Sequence, residues 1–269
     1  MSSIEVVDDA GFAALLERVE VVAVDVRPPF AFNESHIPGA VNLPAFLLGS
    51  SSDGVPDVTA VARHLGAQGI ARDVRVVAYD DGASPAAARL LWVLAYMGHP
   101  SLALLDGGIS HWTRSGRPTE AGSVRREATD YDMGETDDSV LARLDAVRRA
   151  LDDPAVIILD VRDVSEYEGM QMTALRNGHI PGARHMTWSD NLSVSEAGSA
   201  LLRPPEELRR QYHELGITPD VTVIVHCQSG SRSSETFVVL KALGYPDAAN
   251  YSAGWQEWGN LSDTPVDEL

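Results

Sequence analysis

Val221-Thr-Val-Ile-Val-His-Cys227-Gln-Ser-Gly-Ser-Arg232-Ser-Ser-Glu-Thr236 is the stretch on which the reading of the chain turns. Its first five residues are rich in β-branched types, as in a strand buried on both faces. A short turn over residues 227–230 ends that run. Apolar residues return at helical spacing over residues 231–244, with Phe237, Val238, Leu240, Ala242 and Leu243. The only cysteine of the chain therefore stands where a strand ends and a helix begins. Backbone N–H groups of such a turn point inward and the helix N-terminus is positive, so the place favours a thiolate. Gln228, Ser229, Gly230 and Ser231 contribute the loop, and Arg232 adds a full positive charge. The stretch predicts a nucleophile cradle around Cys227.

The totals bound what surrounds that cradle. A chain of 269 residues with 44% hydrophobic content and five Trp has material for two cores. Its 21 basic against 39 acidic residues give a net charge of −18, which argues against nucleic acid or an anionic membrane as a general partner. The opening Met1-Ser-Ser-Ile-Glu5 has neither a basic nor an apolar leader region, and no stretch approaches membrane-spanning length. One cysteine cannot close an internal disulfide. The expectation is a soluble cytoplasmic protein.

Reading outward from the cradle uncovers a repeat. In the first half, apolar Phe12, Leu15, Leu16 and Val19 mark a short helix, and Val21-Val-Ala-Val-Asp25-Val-Arg27 a buried strand stopped by Pro28-Pro29. His36-Ile-Pro-Gly39-Ala follows, then a strand over residues 74–79, a helix opened by Pro85, and a closing Gly108-Ile-Ser-His-Trp112. The second half repeats this order. A helix is predicted over residues 139–151, followed by Val156-Ile-Ile-Leu-Asp160-Val-Arg162, His179-Ile-Pro-Gly182-Ala, the Cys227 strand and Gly254-Trp-Gln-Glu-Trp258. The spacing between counterparts is nearly constant, so one α/β unit occurs twice. Strands alternating with helices imply a mainly parallel sheet flanked by helices on both faces in each unit. Residues 118–136, rich in Gly, Thr and charge, place the boundary near 125, giving domains 1–125 and 126–269.

The duplication supplies its own control. Aligning the two central strands sets Asp80-Asp-Gly-Ala-Ser84-Pro opposite the Cys227 turn. A carboxylate there accepts no sulfur or phosphoryl group, so the first copy reads as catalytically silent and the second as catalytic. By the same comparison, Asp160, Arg162, His179 and Trp258 have counterparts in Asp25, Arg27, His36 and Trp112 and read as architecture. His226 points away from Cys227 along an extended strand and is a poor general base. Trp188 and Trp255 read as packing residues. Arg176 has no counterpart in the first half and is a candidate for the anionic end of a donor.

Asp-Val-Arg after a buried strand, His-Ile-Pro-Gly-Ala, the strand–Cys-x-x-Gly-x-Arg–helix turn and a closing Gly-Trp-x-x-Trp resemble the tandem-domain rhodanese sulfurtransferases. The resemblance spans nearly the whole chain in both copies. It implies two rhodanese-like folds, an inactive N-terminal one and an active C-terminal one, with a persulfide carried on the cysteine. The donor would be a small anionic sulfur compound and the acceptor cyanide, a small thiol or a protein thiol. No metal or organic cofactor is required. Gln228-Ser229 is neutral where thiosulfate-using members often carry basic residues. The Cys-x-Ser-Gly pattern partly matches members using 3-mercaptopyruvate. Glu166, where those enzymes usually carry arginine, would repel the carboxylate of that donor, which favours thiosulfate. Two rival readings are a cysteine phosphatase or arsenate reductase and a non-enzymatic persulfide carrier. The first normally places five residues between Cys and Arg, whereas four stand here.

Overall fold

The computed structural model describes residues 2–18, 21–83 and 85–267; Val19 and Ser84, both used above, lie outside the described residues. The chain divides into two compact units. The first comprises Met1–Gly49, Pro56–Asp137 and Leu192–Leu202, the second Ser50–Val55, Asp138–Asn191 and Arg203–Leu269.

The first unit runs β1 (Ser3–Val7), α1 (Asp9–Glu17), β2 (Val21–Asp25), α2 (Pro29–Glu34), β3 (Val41–Asn42), α3 (Val58–Ala67), β4 (Arg75–Tyr79), α4 (Pro85–Tyr96), β5 (Ser101–Leu105) and α5 (Gly108–Arg114). Its strands form one parallel sheet in the order β1-β5-β4-β2-β3. All five residues of β2 are buried, as a central strand covered on both faces requires. Asp8 and Asp57 cap α1 and α3 by accepting from the N–H groups of Gly11 and Ala60.

The second unit runs α6 (Leu144–Ala150), β6 (Val156–Asp160), α7 (Val164–Tyr167) and β7 (Arg184–His185). After β8 (Leu192–Val194) and β9 (Ala200–Leu202), an antiparallel hairpin that groups with the first unit, come α8 (Pro205–Glu214), β10 (Thr222–His226), α9 (Ser231–Ala242), β11 (Ala248–Tyr251) and α10 (Gly254–Trp258). Its sheet is also parallel, in the order β11-β10-β6-β7. The strand bearing Cys227 at its end is thus central. The helix predicted over 139–151 is shorter than expected. Leu141 bridges to Asn250 and the Ala142 N–H bonds the Asn250 carbonyl at 3.1 Å, so this stretch serves the sheet edge before α6 begins.

Residues 126–137 pack with the first unit rather than opening the second. The Thr129 N–H bonds Gly66 O at 2.9 Å and the Asp137 N–H bonds Tyr96 O at 2.7 Å. The sequence marked this segment only by its lack of apolar periodicity. Its attachment comes from these backbone hydrogen bonds and from one buried side chain, Tyr131, whose ring stacks on His99 and whose hydroxyl meets the His99 Nδ1 at 2.8 Å.

The repeated motifs make the same bonds in both units. Arg27 Nη2 bonds Asp25 Oδ2 at 2.7 Å and the Ser35 carbonyl at 2.6 Å; Arg162 Nη2 bonds Asp160 Oδ2 at 2.6 Å and the Gly178 carbonyl at 2.8 Å. The His36 and His179 rings stack on Phe32 and Tyr167, each with centroids 3.9 Å apart, and meet the carbonyl of the same residue through Nδ1. Trp112 and Trp258 donate Nε1–H to Pro118 O and Pro265 O at 2.7 and 2.8 Å. The arginine and histidine brace the connection that follows one strand, and the tryptophan holds the segment after α5 or α10.

Candidate active site

β10 delivers the backbone into the turn at Cys227, and Gly230, with φ of 91°, lets the chain double back into α9. The Cys227 side chain is 1% exposed, and its Sγ accepts the Gly230 N–H at 3.2 Å. The N–H groups of the first turn of α9 have no helical partner and add the positive pole of the helix. A second helix start holds the turn from behind. The Trp255 N–H bonds Cys227 O and the Gln256 N–H bonds Gln228 O, each at 2.9 Å. Gly254, at φ of 58°, permits this approach, because a Cβ there would lie 2.3 Å from Cys227 O.

Behind the turn lies a buried polar network. Ser233 Oγ sits 3.4 Å from Cys227 Sγ and 2.7 Å from Asn250 Oδ1. Ser234 donates its hydroxyl to Gly230 O at 2.6 Å, and Asn250 Nδ2 donates to Ser234 Oγ at 3.0 Å and Gly230 O at 3.3 Å. All three side chains are fully buried. Sequence reading missed Ser233, Ser234 and Asn250. The available signal was polar residues on what should be the apolar face of a buried helix, and an Asn within a buried strand.

Arg232 follows the turn, as expected, but its charge is already engaged. Its guanidinium forms a two-point pair with Glu166, at 2.9 Å for Nη2–Oε1, and approaches Asp163 Oδ2 at 3.4 Å. Burial pushes the Arg232 guanidinium down, but the Glu166 bonds and the pull of Cys227 and the nearby carboxylates outweigh this and leave it above its ordinary value. Burial pushes Glu166 up, and Arg232 more than reverses that, holding the carboxylate below its usual range. The pocket edge therefore carries an ion pair rather than an uncompensated cation.

The other candidates fall out as follows. Gln228 turns its amide to Thr173 O at 2.9 Å, while Ser229 and Ser231 are exposed at the turn. The Arg176 guanidinium, proposed as a donor contact, bonds Trp258 O at 2.8 Å and both the carbonyl and hydroxyl of Thr264, and so clamps the segment after α10. Its expected freedom to meet an anion is spent on three main-chain and side-chain oxygens. His226 is fully buried, 3.5 Å from Asp160 Oδ2, and burial holds it below its ordinary value. Trp255 is buried against Arg162, whose guanidinium stands 4.4 Å from the ring centroid. Trp188 sits in a single 3-10 turn, half-buried.

The first unit builds the same turn around a carboxylate. Asp80 Oδ1 accepts the Gly82 N–H at 2.9 Å and Oδ2 accepts the Ala87 N–H at 3.3 Å. The Ile109 N–H bonds Asp80 O at 3.0 Å, and Gly108 at φ of 52° stands where Gly254 stands in the second unit. The side chain of Asp80 takes up two N–H donors of its own turn, where Cys227 Sγ accepts that of Gly230.

Among the described residues no cluster of His, Cys, Asp and Glu is arranged to hold a metal ion, and no helix is long and apolar enough to cross a membrane. The arrangement offers one buried sulfur, main-chain N–H donors and a nearby ion pair. That suits a thiolate forming a covalent bond to a small electrophile.

Residues 9–115 and 143–261 each match the model of the Rhodanese-like domain. Over 272 residues the chain is 33% identical to a thiosulfate sulfurtransferase of Azotobacter vinelandii, covering 97% of this chain and 96% of that protein. A sulfur carrier protein, TtuD, of Thermus thermophilus is 36% identical over 74% of this chain and 72% of its own length. The crystal structure of YnjE shares the fold, with a TM-score of 0.86 at 24% identity, over 98% of this chain and 68% of that one.

Proposed function

The chain belongs to the rhodanese-like domain family, and from that premise we propose that it is a sulfurtransferase working through a persulfide on Cys227, with thiosulfate as donor. The observation that carries the reading is the only thiol of the chain, 3.2 Å from the Gly230 N–H, at a turn whose twin holds Asp80 instead. In the first half-reaction the Cys227 thiolate attacks the outer sulfur of thiosulfate. An S–S bond forms to Cys227, the donor's S–S bond breaks, and sulfite leaves with the electron pair. In the second, an acceptor nucleophile such as cyanide or a thiol takes the outer sulfur and Cys227 leaves as thiolate. Gly230 N–H and the first turn of α9 stabilise the anionic sulfur in both steps. The first unit is silent, since Asp80 satisfies its own turn. A cytoplasmic site of action is part of this reading, because a lone reactive thiol suits a reducing compartment.

Thiosulfate is preferred to 3-mercaptopyruvate on the names of the full-length relatives. The full-length relatives of Azotobacter vinelandii and Pseudomonas aeruginosa are thiosulfate sulfurtransferases. Steady turnover of thiosulfate with cyanide tests the proposal, with 3-mercaptopyruvate and an aryl phosphate run in parallel. Hydrolysis of the aryl phosphate without sulfur transfer would reverse the assignment to a phosphatase.

One observation favours a second reading, in which the persulfide passes to a protein thiol. Val164, Met170, Met172 and Leu175 expose 48, 70, 77 and 81% of their surfaces within one twelve-residue segment, which is fixed to the Cys227 turn through Thr173 and Gln228. Such an apolar rim suits a macromolecular acceptor better than cyanide. A persulfide stable to cyanide but discharged by a protein thiol would favour the carrier.

A further inference from the structure

The hydroxyl of Ser233 has one proton and two acceptors within reach. Asn250 Oδ1 lies at 2.7 Å and Cys227 Sγ at 3.4 Å. Asn250 cannot reverse its amide to relieve this competition. Its Nδ2 faces Gly230 O and Ser234 Oγ, and the Ser234 proton is already given to Gly230 O. Oδ1 must therefore face Ser233. All of these groups are cut off from water, so no solvent molecule supplies a second proton.

Resting on the sulfurtransferase reading, we propose that Ser233 is a hydrogen-bond switch that favours the discharged form of the enzyme. When Cys227 is a free thiolate, the negative charge is on Sγ, and Ser233 turns its O–H onto it. When Cys227 carries the persulfide, the charge moves to the outer sulfur and Sγ becomes a neutral, weak acceptor. Ser233 then returns its O–H to Asn250. No proton is gained or lost in this rotation. A charge-assisted hydrogen bond exists in one state of the cycle only, so Ser233 stabilises the thiolate as leaving group and keeps the persulfide transferable. Gly230 N–H also reaches Sγ, at 3.2 Å, but it is fixed by the backbone and cannot turn to another acceptor.

The test is the equilibrium between thiolate plus thiosulfate and persulfide plus sulfite, read by intact mass at fixed thiosulfate-to-sulfite ratios at pH 9.5, above the ordinary thiol range. Ser233→Ala is expected to shift the equilibrium about tenfold towards persulfide, equivalent to about 1.4 kcal/mol. Ser233→Thr retains the hydroxyl and is expected to return the equilibrium towards the wild-type value. Ser233→Val, isosteric with the threonine variant but without its hydroxyl, replaces the alanine variant if circular dichroism shows that the latter does not fold. An unchanged equilibrium in the hydroxyl-free variant, or a shift towards thiolate, overturns the switch. Wild-type protein that takes up no sulfur overturns the sulfurtransferase reading instead, so the two failures are distinct.

Discussion

Gly254→Ala is the smallest change expected to disable sulfur capture. The added Cβ would stand 2.3 Å from Cys227 O and 2.9 Å from Gln228 O, where real contacts do not fall below 3.0 Å. Both atoms are backbone, so the strain cannot be relieved by a side-chain rotation. The turn must move by most of an ångström, and the Trp255 N–H to Cys227 O bond of 2.9 Å is the first to give way. Alanine at φ of 58° adds about 1–2 kcal/mol of backbone strain. With one main-chain hydrogen bond lost, the cost in stability is about 2–3 kcal/mol. A displacement of that size at a nucleophile lowers the rate about a hundredfold. The first unit provides the control, because Gly108→Ala sets a Cβ 2.4 Å from Asp80 O at φ of 52°. Both variants would be compared by urea unfolding and by single-turnover sulfur uptake from thiosulfate, followed by intact mass. Both should lose stability, and only Gly254→Ala should lose uptake. Wild-type uptake by Gly254→Ala, or equal loss from Gly108→Ala, would refute the argument that the α10 start positions Cys227 and that the first unit is silent.

Three further outcomes follow from the same contacts. Glu166→Gln removes a 4% exposed carboxylate from Arg232 and should lower KM for thiosulfate about tenfold at low salt, at about 1–3 kcal/mol of stability; a raised KM would contradict the electrostatic reading. Arg176→Met should cost about 2–3 kcal/mol in urea unfolding and leave KM for the donor unchanged, since its guanidinium holds Trp258 and Thr264; a KM effect without destabilisation would return it to the donor site. His226 and His99 are held below their ordinary values by burial, so the folded protein takes up these protons at lower pH than the unfolded chain, which does so at about pH 6.5. Their contribution is present above that pH and lost as the pH falls through it, and urea midpoints measured from pH 8 to 5 should drop accordingly. A rise in stability on acidification would contradict it.

The fold was legible because parallel sheets buried on both faces leave continuous apolar runs, and because those runs recur with the same punctuation. Asp160–Arg162, His179 and Trp258 could be set aside as architecture from their counterparts alone, and their bonds prove identical in the two units. What remained hidden was pairing across sequence distance. Arg232 reads as a free cation until α7 brings Glu166 to it, and Arg176 as a loop cation until the segment after α10 brings Thr264. Ser233 and Asn250 leave only the mark of polar residues among apolar ones, which does not say which atoms they meet. Their importance lies in a 3.4 Å contact across the β10–α9 turn and a 2.7 Å contact made only when β11 lies beside β10. Residues 126–137 were hidden for a related reason, as backbone hydrogen bonds and a single buried tyrosine leave no periodic mark.

The central claim is that Cys227 carries the transferred sulfur, and the most direct measurement is the intact mass of the protein after exposure to thiosulfate. The account predicts a gain of one sulfur atom, located on Cys227 by peptide mapping and removed by cyanide, with none gained by Cys227→Ser. No gain in the wild-type protein, or an equal gain in Cys227→Ser, would contradict it.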